Sequence, residues 1–172
     1  MTATPIPRNS LGEWGYRLLW LGIGALPAVI LLIRRISTEQ GLVWFLFMVL
    51  GVPAMVIAQA LAAMMAWVYR QRQWRHWLGS RTAVASYVYY GLWALLALSM
   101  PDGERGEVYL SPLQRLLGAG AGEVLSTMFL WATGAAYVAT LVGIVWEGER
   151  AVATDPSGLT VKAIIASAFD RR

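Results

Sequence analysis

The chain contains no cysteine, one histidine and one lysine. Without a thiol there is no disulfide, no thiolate metal site and no cysteine nucleophile. The lone histidine, His76, cannot form a bis-histidine haem site, and no Cys, Asp or Glu beside it completes a zinc set. It reads as a solvated or lipid-facing side chain. Charge is also scarce, at 14% of residues against the about 25% usual in soluble domains. No Asp, Glu, Lys or Arg falls in the middle of an apolar run. Coupled pumps and proton relays usually depend on such intramembrane charges. There is no H-E-x-x-H, G-x-S-x-G, P-loop or pair of catalytic carboxylates. Neither an enzyme, nor a cofactor, nor a metal site is expected.

What is present is apolar. Hydrophobic residues make up 58% of the 172-residue chain. Four stretches carry no charge at all: Leu18–Ile33, Gly41–Tyr69, Thr82–Pro101 and Val124–Trp146. Crossing a bilayer as a helix takes about 20 such residues. Three stretches reach that length, and Arg17 and Arg34 can snorkel outward to extend the first. The expected fold is an all-α integral membrane protein with four transmembrane helices, at about 15–34, 41–69, 82–101 and 122–146. Residues 1–172 form a single membrane domain, with 147–172 as a cytoplasmic tail. The first span also resembles a signal peptide. Arg34-Arg35 after it, and the lack of an A-x-A-like cleavage site, favour an uncleaved anchor.

Local signals set the expected boundaries. Ser10, with Glu13 three residues on, reads as a capping box opening the first helix. Trp14, Tyr16 and Arg17 suit the membrane boundary. Pro27 and the Gly51-Pro53 pair predict kinks. Ser37 or Thr38 reads as the cap of the second span. Pro101-Asp102-Gly103 is a stop and turn. Ser111-Pro112 begins a short interfacial helix that ends in the Gly118–Gly122 stretch, the alternative being one long fourth span from Leu113. Glu147 to Arg150 ends the fourth span. Asp155-Pro156-Ser157 then opens an amphipathic C-terminal helix.

Three groups of residues are candidates for function. The first is a basic, aromatic collar after the second span: Arg70, Arg72, Trp74, Arg75, Trp77 and Arg81. It reads as a docking site for anionic lipid headgroups or a partner, or as an ordinary topology-determining loop with an aromatic belt. The second is a set of small residues at four-residue spacing: Ala54, Ala58, Ala62 and Ala66, then Ala132, Ala136 and Thr140. With Gly143 in a parallel ladder, these offer faces on which helix backbones approach closely. The third is Gln59, the only strongly polar side chain inside an apolar run. It reads as interhelical glue, or with Tyr87, Tyr90 and Tyr137 as the lining of a pore or cavity. Tyr87, Tyr89 and Tyr90 read in the first place as part of a near-surface aromatic belt or of the packing. Glu123 suits the positive end of the fourth helix, or a cation or proton site if the glycine-rich stretch dips into the membrane.

Four spans place the N-terminal tail, the collar and the C-terminal tail on one side, with ten basic residues against four on the other. By the positive-inside rule both termini are cytoplasmic. The arginine-rich, Ala/Gly/Val/Leu-rich composition points to a GC-rich bacterial genome, and so to a multi-pass protein of a bacterial inner membrane. Arg34-Arg35 on the outside is the awkward feature. The basic balance fits membrane lipids, anionic ones above all, and not nucleic acid. The expected function is a non-catalytic subunit packed with other membrane subunits or with itself. The alternative is an oligomeric channel or facilitator for a neutral or lipid-like solute, lined by Gln59 and tyrosines. A third and weaker reading is an enzyme acting on lipid, for which no nucleophile or general base is visible.

Overall fold

A computed structural model describes residues 9–37, 41–70, 78–104 and 107–153. Six α-helices occur among them: α1 (Ser10–Ser37), α2 (Leu42–Leu46), α3 (Val52–Arg70), α4 (Ser80–Ser99), α5 (Pro112–Leu117) and α6 (Ala119–Ala153). A five-residue π-helical segment, Phe47–Gly51, joins α2 to α3 into one span. Four segments are long and apolar enough to cross a membrane: Ser10–Ile36, Leu42–Tyr69, Ser80–Ser99 and Ala119–Arg150. The chain is therefore an all-α, multi-pass integral membrane protein, as its uncharged runs imply.

The spans form a ring and not a simple up-and-down order. α1 packs on α3 and on α4, while α6 packs on α4 and, less extensively, on α3. Spans two and three, consecutive in sequence, thus lie across the bundle from each other. Small residues make the core at the end where the chain enters. There Ala62, Ala63 and Ala66 of α3 meet Tyr16 and Leu19 of α1, Ala83 of α4 and Ile144 of α6. Toward the far end the core is aromatic. Leu26, Ile30, Met55, Tyr89 and Ala97 are buried there, with Phe47, Trp93 and Tyr137 packed against them.

Several expected boundaries are corrected. Ser10 is the first residue of α1 rather than its cap; Asn9 precedes the helix, its side-chain oxygen accepting from the Gly12 N–H at 3.3 Å. Glu13 instead pairs with Arg17 at 2.6 Å. Ser37 is the last residue of α1, and α2 is preceded by Gly41, which has no capping side chain. Thr38 lies outside the described residues. α1 continues through Pro27. At Pro53 the chain answers differently. Proline has no N–H and its ring presses on the carbonyl four residues back, here Val49. That carbonyl sits inside the π segment, where the widened turn relieves the clash.

The connection after α4 is more ordered than a plain turn. Strands β1 (Asp102–Glu104) and β2 (Glu107–Tyr109) pair antiparallel, Asp102 opposite Tyr109. α5 follows as the sequence implies. The Ser111 side chain accepts from the Gln114 N–H and the Gln114 side chain accepts from the Ser111 N–H, with Pro112 opening the helix. Gly118, at φ 90°, ends α5 in a conformation that favours glycine. This break excludes a fourth span that starts at Leu113. α6 does not stop at Glu147, since its 35 residues run to Ala153. The expected C-terminal helix after Asp155 lies outside the described residues.

Candidate functional site

Polar side chains gather at three levels of the bundle. At the far end, Arg34 of α1 and Asp102 of β1 form an ion pair at 3.1 Å, with side chains 1% and 0% exposed. The Asp102 carboxylate accepts three further bonds. The backbone N–H groups of Val43, at 3.1 Å, and Trp44, at 2.9 Å, donate to it, as does that of Gly103 at 2.8 Å. Val43 and Trp44 are the second and third residues of α2, whose N–H groups have no partner within the helix. Asp102 thus caps α2 from a distant part of the chain. Gly41 makes room for it. A Cβ at Gly41 would stand 2.5 Å from Asp102 Oδ1 and from the Gly103 carbonyl oxygen.

The near end repeats the device. α4 is preceded by Gly79, again without a capping side chain. Its second and third residues, Arg81 and Thr82, donate their N–H groups to the Glu147 carboxylate of α6, each at 3.3 Å. The Thr82 hydroxyl donates to the same carboxylate at 2.5 Å. A Cβ at Gly79 would collide with that carboxylate. Gly143 lies one turn before Glu147 and lets Thr82 in, for a Cβ there would be 2.6 Å from Thr82 Oγ1. Glu147 therefore belongs to a continuing helix, and the reading of it as a stop is corrected. Its charge is engaged by the start of α4.

Between the ends, tyrosine hydroxyls reach across to backbone carbonyls. Tyr90 donates to the Leu18 carbonyl at 3.0 Å, Tyr87 to that of Leu11 at 3.2 Å and Tyr137 to that of Ala58 at 2.8 Å. Gln59, 1% exposed, donates through Nε2 to the Tyr90 hydroxyl at 2.8 Å. Its Oε1 has no hydrogen-bond partner among the described residues. Tyr89 packs against Tyr90, Trp93 and Tyr137, with ring centroids 5.5, 6.4 and 5.6 Å away. Gln59 and Tyr90 thus join span two to span three across the ring, inside one bundle. Gln59 is buried within the bundle and not on its outer surface.

The other candidates are placed as follows. Arg72, Trp74, Arg75 and Trp77 lie outside the described residues, as does His76. Arg70 ends α3. Arg81 is exposed in the first turn of α4. Of the alanine ridge, Ala62 and Ala66 are buried, Ala58 is half-buried and Ala54 is exposed. The ridge meets α1, α4 and α6 of the same chain at its buried end. On α6, Ala132 and Ala136 are half-buried, and Gly143 meets Thr82. Glu123 is exposed in the second turn of α6 and not at its start. No group of three or more His, Cys, Asp or Glu side chains that would hold a metal ion occurs among the described residues.

Sequence reading missed Asp102 and Glu147 as capping groups, and Arg34 as a buried one. The trace of them in the chain is a glycine, and not a Ser, Thr, Asp or Asn, at the residue directly before α2 and before α4. Such a helix start takes its acceptor from elsewhere. Comparison with family models, with curated proteins and with solved structures finds no match to the chain.

Proposed function

We propose that this chain is a non-catalytic subunit of a membrane assembly, packing with other membrane subunits or with copies of itself. One contrast carries the reading. The most apolar windows of spans one and three are 33% and 39% buried within the bundle, whereas those of spans two and four are each 17% buried. These two spans are neighbours in the ring. Together they present a broad apolar wall, with Ile57, Leu61 and Met64 outward on α3 and Met128, Trp131 and Val138 outward on α6. Polar side chains within the spans are engaged in holding the bundle, through Tyr90, Tyr137, Thr82 and Gln59. The wall is where further helices have room to pack, by van der Waals contact as membrane helices do.

In the same proposal the near end faces the cytoplasm of a bacterial cell, and the basic residues there dock anionic lipid or a partner. Burial of Arg34 supports this orientation. An arginine paired within the protein does not act as a surface charge, so the far end presents fewer free cations than its sequence count.

The absence of cysteine makes the test direct. Single cysteines at Ile57, Leu61, Trp131 and Ala135 are introduced one at a time and cross-linked in native membranes. Adducts are expected at these wall positions and not at Leu21, an exposed residue of α1. A chain that gives no adduct at any wall position, and is monomeric in gentle detergent, overturns the proposal.

A further inference from the structure

The outward face of α6 carries a seven-residue pattern that contacts within the chain do not explain. Gly120, Thr127 and Gly134 are small, and Val124, Trp131 and Val138 are large. Each set repeats every seven residues, and the two alternate at steps of four and three. All six are exposed. They lie on the side of α6 opposite Thr133 and Thr140, which are buried. A repeat of seven keeps a seam in line when two helices cross with a left-handed twist of about 20°. Acyl chains conform to any apolar face, so lipid requires no such repeat. Trp131, 76% exposed, lies seven residues inside the uncharged stretch, about 10 Å at 1.5 Å per residue. Tryptophans of an aromatic belt lie at the headgroups and not at that depth. Three residues on, a Cβ at Gly134 would meet nothing within 4 Å. A large ring beside a bare backbone is a knob beside a hole.

The charges at the far end of this face favour one occupant. Glu123 is exposed on α6 and Arg115 is exposed on α5, and neither is in an ion pair among the described residues. They flank the seam on opposite sides. At about 100° per residue, Glu123 lies on the flank of Gly148, which meets Tyr69 of α3. Arg115 lies on the other flank, because α5 packs on α6 and on α4. A twofold axis along the membrane normal sets the α3 flank of one copy against the α4 flank of the other. It brings each Glu123 toward Arg115 of the second copy, twice over. It also keeps the two Glu123 carboxylates on opposite sides of the seam. The face is therefore complementary to itself in charge as well as in shape.

We propose that α6 is the contact of a parallel, twofold-symmetric dimer of this chain. Gly120, Val124, Thr127, Trp131, Gly134 and Val138 form its seam, and Glu123–Arg115 pairs between the copies close its far end. Trp131 of each copy fills the notch at Gly134 of the other. This deepens the assembly role given above to the apolar wall and rests on that reading. It names the partner, a second copy, and the helix that meets it.

The test is oxidative cross-linking of single-cysteine variants of the full chain in native membranes. Disulfide-linked dimers are expected from Val124→Cys, Thr127→Cys and Val138→Cys. They are not expected from Met128→Cys or Leu130→Cys, at positions that are exposed but turned about 80° from the seam. Equal yields at all five positions indicate random collision and overturn the proposal. In the Thr127→Cys chain, Glu123→Arg or Arg115→Glu is expected to lower the dimer yield roughly fivefold, and the two together to restore it. Single variants that change nothing, or a pair that does not recover, overturn it. Gly134→Leu fills the notch without touching the rest of the bundle, and is expected to lower the yield about tenfold. An unchanged yield there overturns it too. Adducts with another protein at Ile57 or Leu61, without seam disulfides, sink the dimer and leave the subunit reading standing. No adduct at any of these positions, with a monomer in gentle detergent, sinks both.

Discussion

At the far end of the bundle Asp102 accepts from Val43 and Trp44; at the near end Glu147 accepts from Arg81 and Thr82. The geometry is the same. Each helix begins after a glycine, and a carboxylate from a distant segment meets the second and third N–H groups. The surroundings differ. Asp102 is fully buried and shares its charge with Arg34. Glu147 is half-buried, and its partners among the described residues are N–H groups and a hydroxyl. One motif therefore serves two purposes. The near-end cap closes α4 onto α6 through ordinary hydrogen bonds. The far-end cap also pairs with a buried guanidinium, and ties the ends of α1, α2 and β1 to one carboxylate.

The largest expected effect comes from breaking the buried member. Asp102→Ala leaves the Arg34 charge without its carboxylate and two N–H groups of α2 without an acceptor. Loss of one partner from a buried pair costs about 3–5 kcal/mol. Unfolding by SDS titration from mixed micelles should show a destabilisation of that order. Arg34→Met/Asp102→Ala, which removes both charges, should recover a substantial part of it. A double variant no better than Asp102→Ala alone would show that α2 capping, and not the broken ion pair, dominates at this end.

Glu147→Ala should cost less, about 1 kcal/mol and at most about 2, the usual range for losing a helix cap. Exposure provides a sharper discriminator than size. Charges open to solvent are screened over about 3 Å at 1 M salt and over about 10 Å at 0.1 M. The Glu147→Ala penalty should shrink when the titration is repeated at high salt, while the Asp102→Ala penalty should not. Equal penalties, or equal salt dependence, would erase the distinction between the two ends.

How much of this was readable in the chain follows from the range of each interaction. The four spans were legible because an uncharged run is a local pattern. So was α5, where Ser111, Pro112 and Gln114 lie within one turn. The ring order and the two caps were not. Asp102 is 59 residues from Val43, and Glu147 is 65 from Thr82. No spacing rule links residues that far apart, so Asp102 read as a turn and Glu147 as a helix end. Arg34 looked out of place by the positive-inside rule for the same reason, because its partner is 68 residues away. Gln59 was legible as polar, but its partner Tyr90 could not be chosen from several tyrosines without knowing that spans two and three face each other across the ring.

The smallest expected effect lies between the two ends, and there the sign matters more than the size. Interhelical hydrogen bonds in membranes average about 0.6 kcal/mol. Gln59→Leu removes one such bond, to Tyr90, and also removes a buried oxygen that has no partner among the described residues. The two changes oppose each other, so stability should shift by less than that average. Tyr90→Phe differs. It removes the hydroxyl that accepts from Gln59 and donates to the Leu18 carbonyl, and it leaves the whole amide of Gln59 buried without a partner among the described residues. It should be the more destabilising of the two by SDS titration, by about 1–2 kcal/mol. In the double variant the stranded amide is gone, so Tyr90→Phe made on Gln59→Leu should cost less than it does on the wild type. Should Gln59→Leu prove the more damaging, the amide would have a role beyond the Tyr90 bond. The centre of the bundle would then resemble the far end, where a buried side chain serves more than one partner, more than a single interhelical bond.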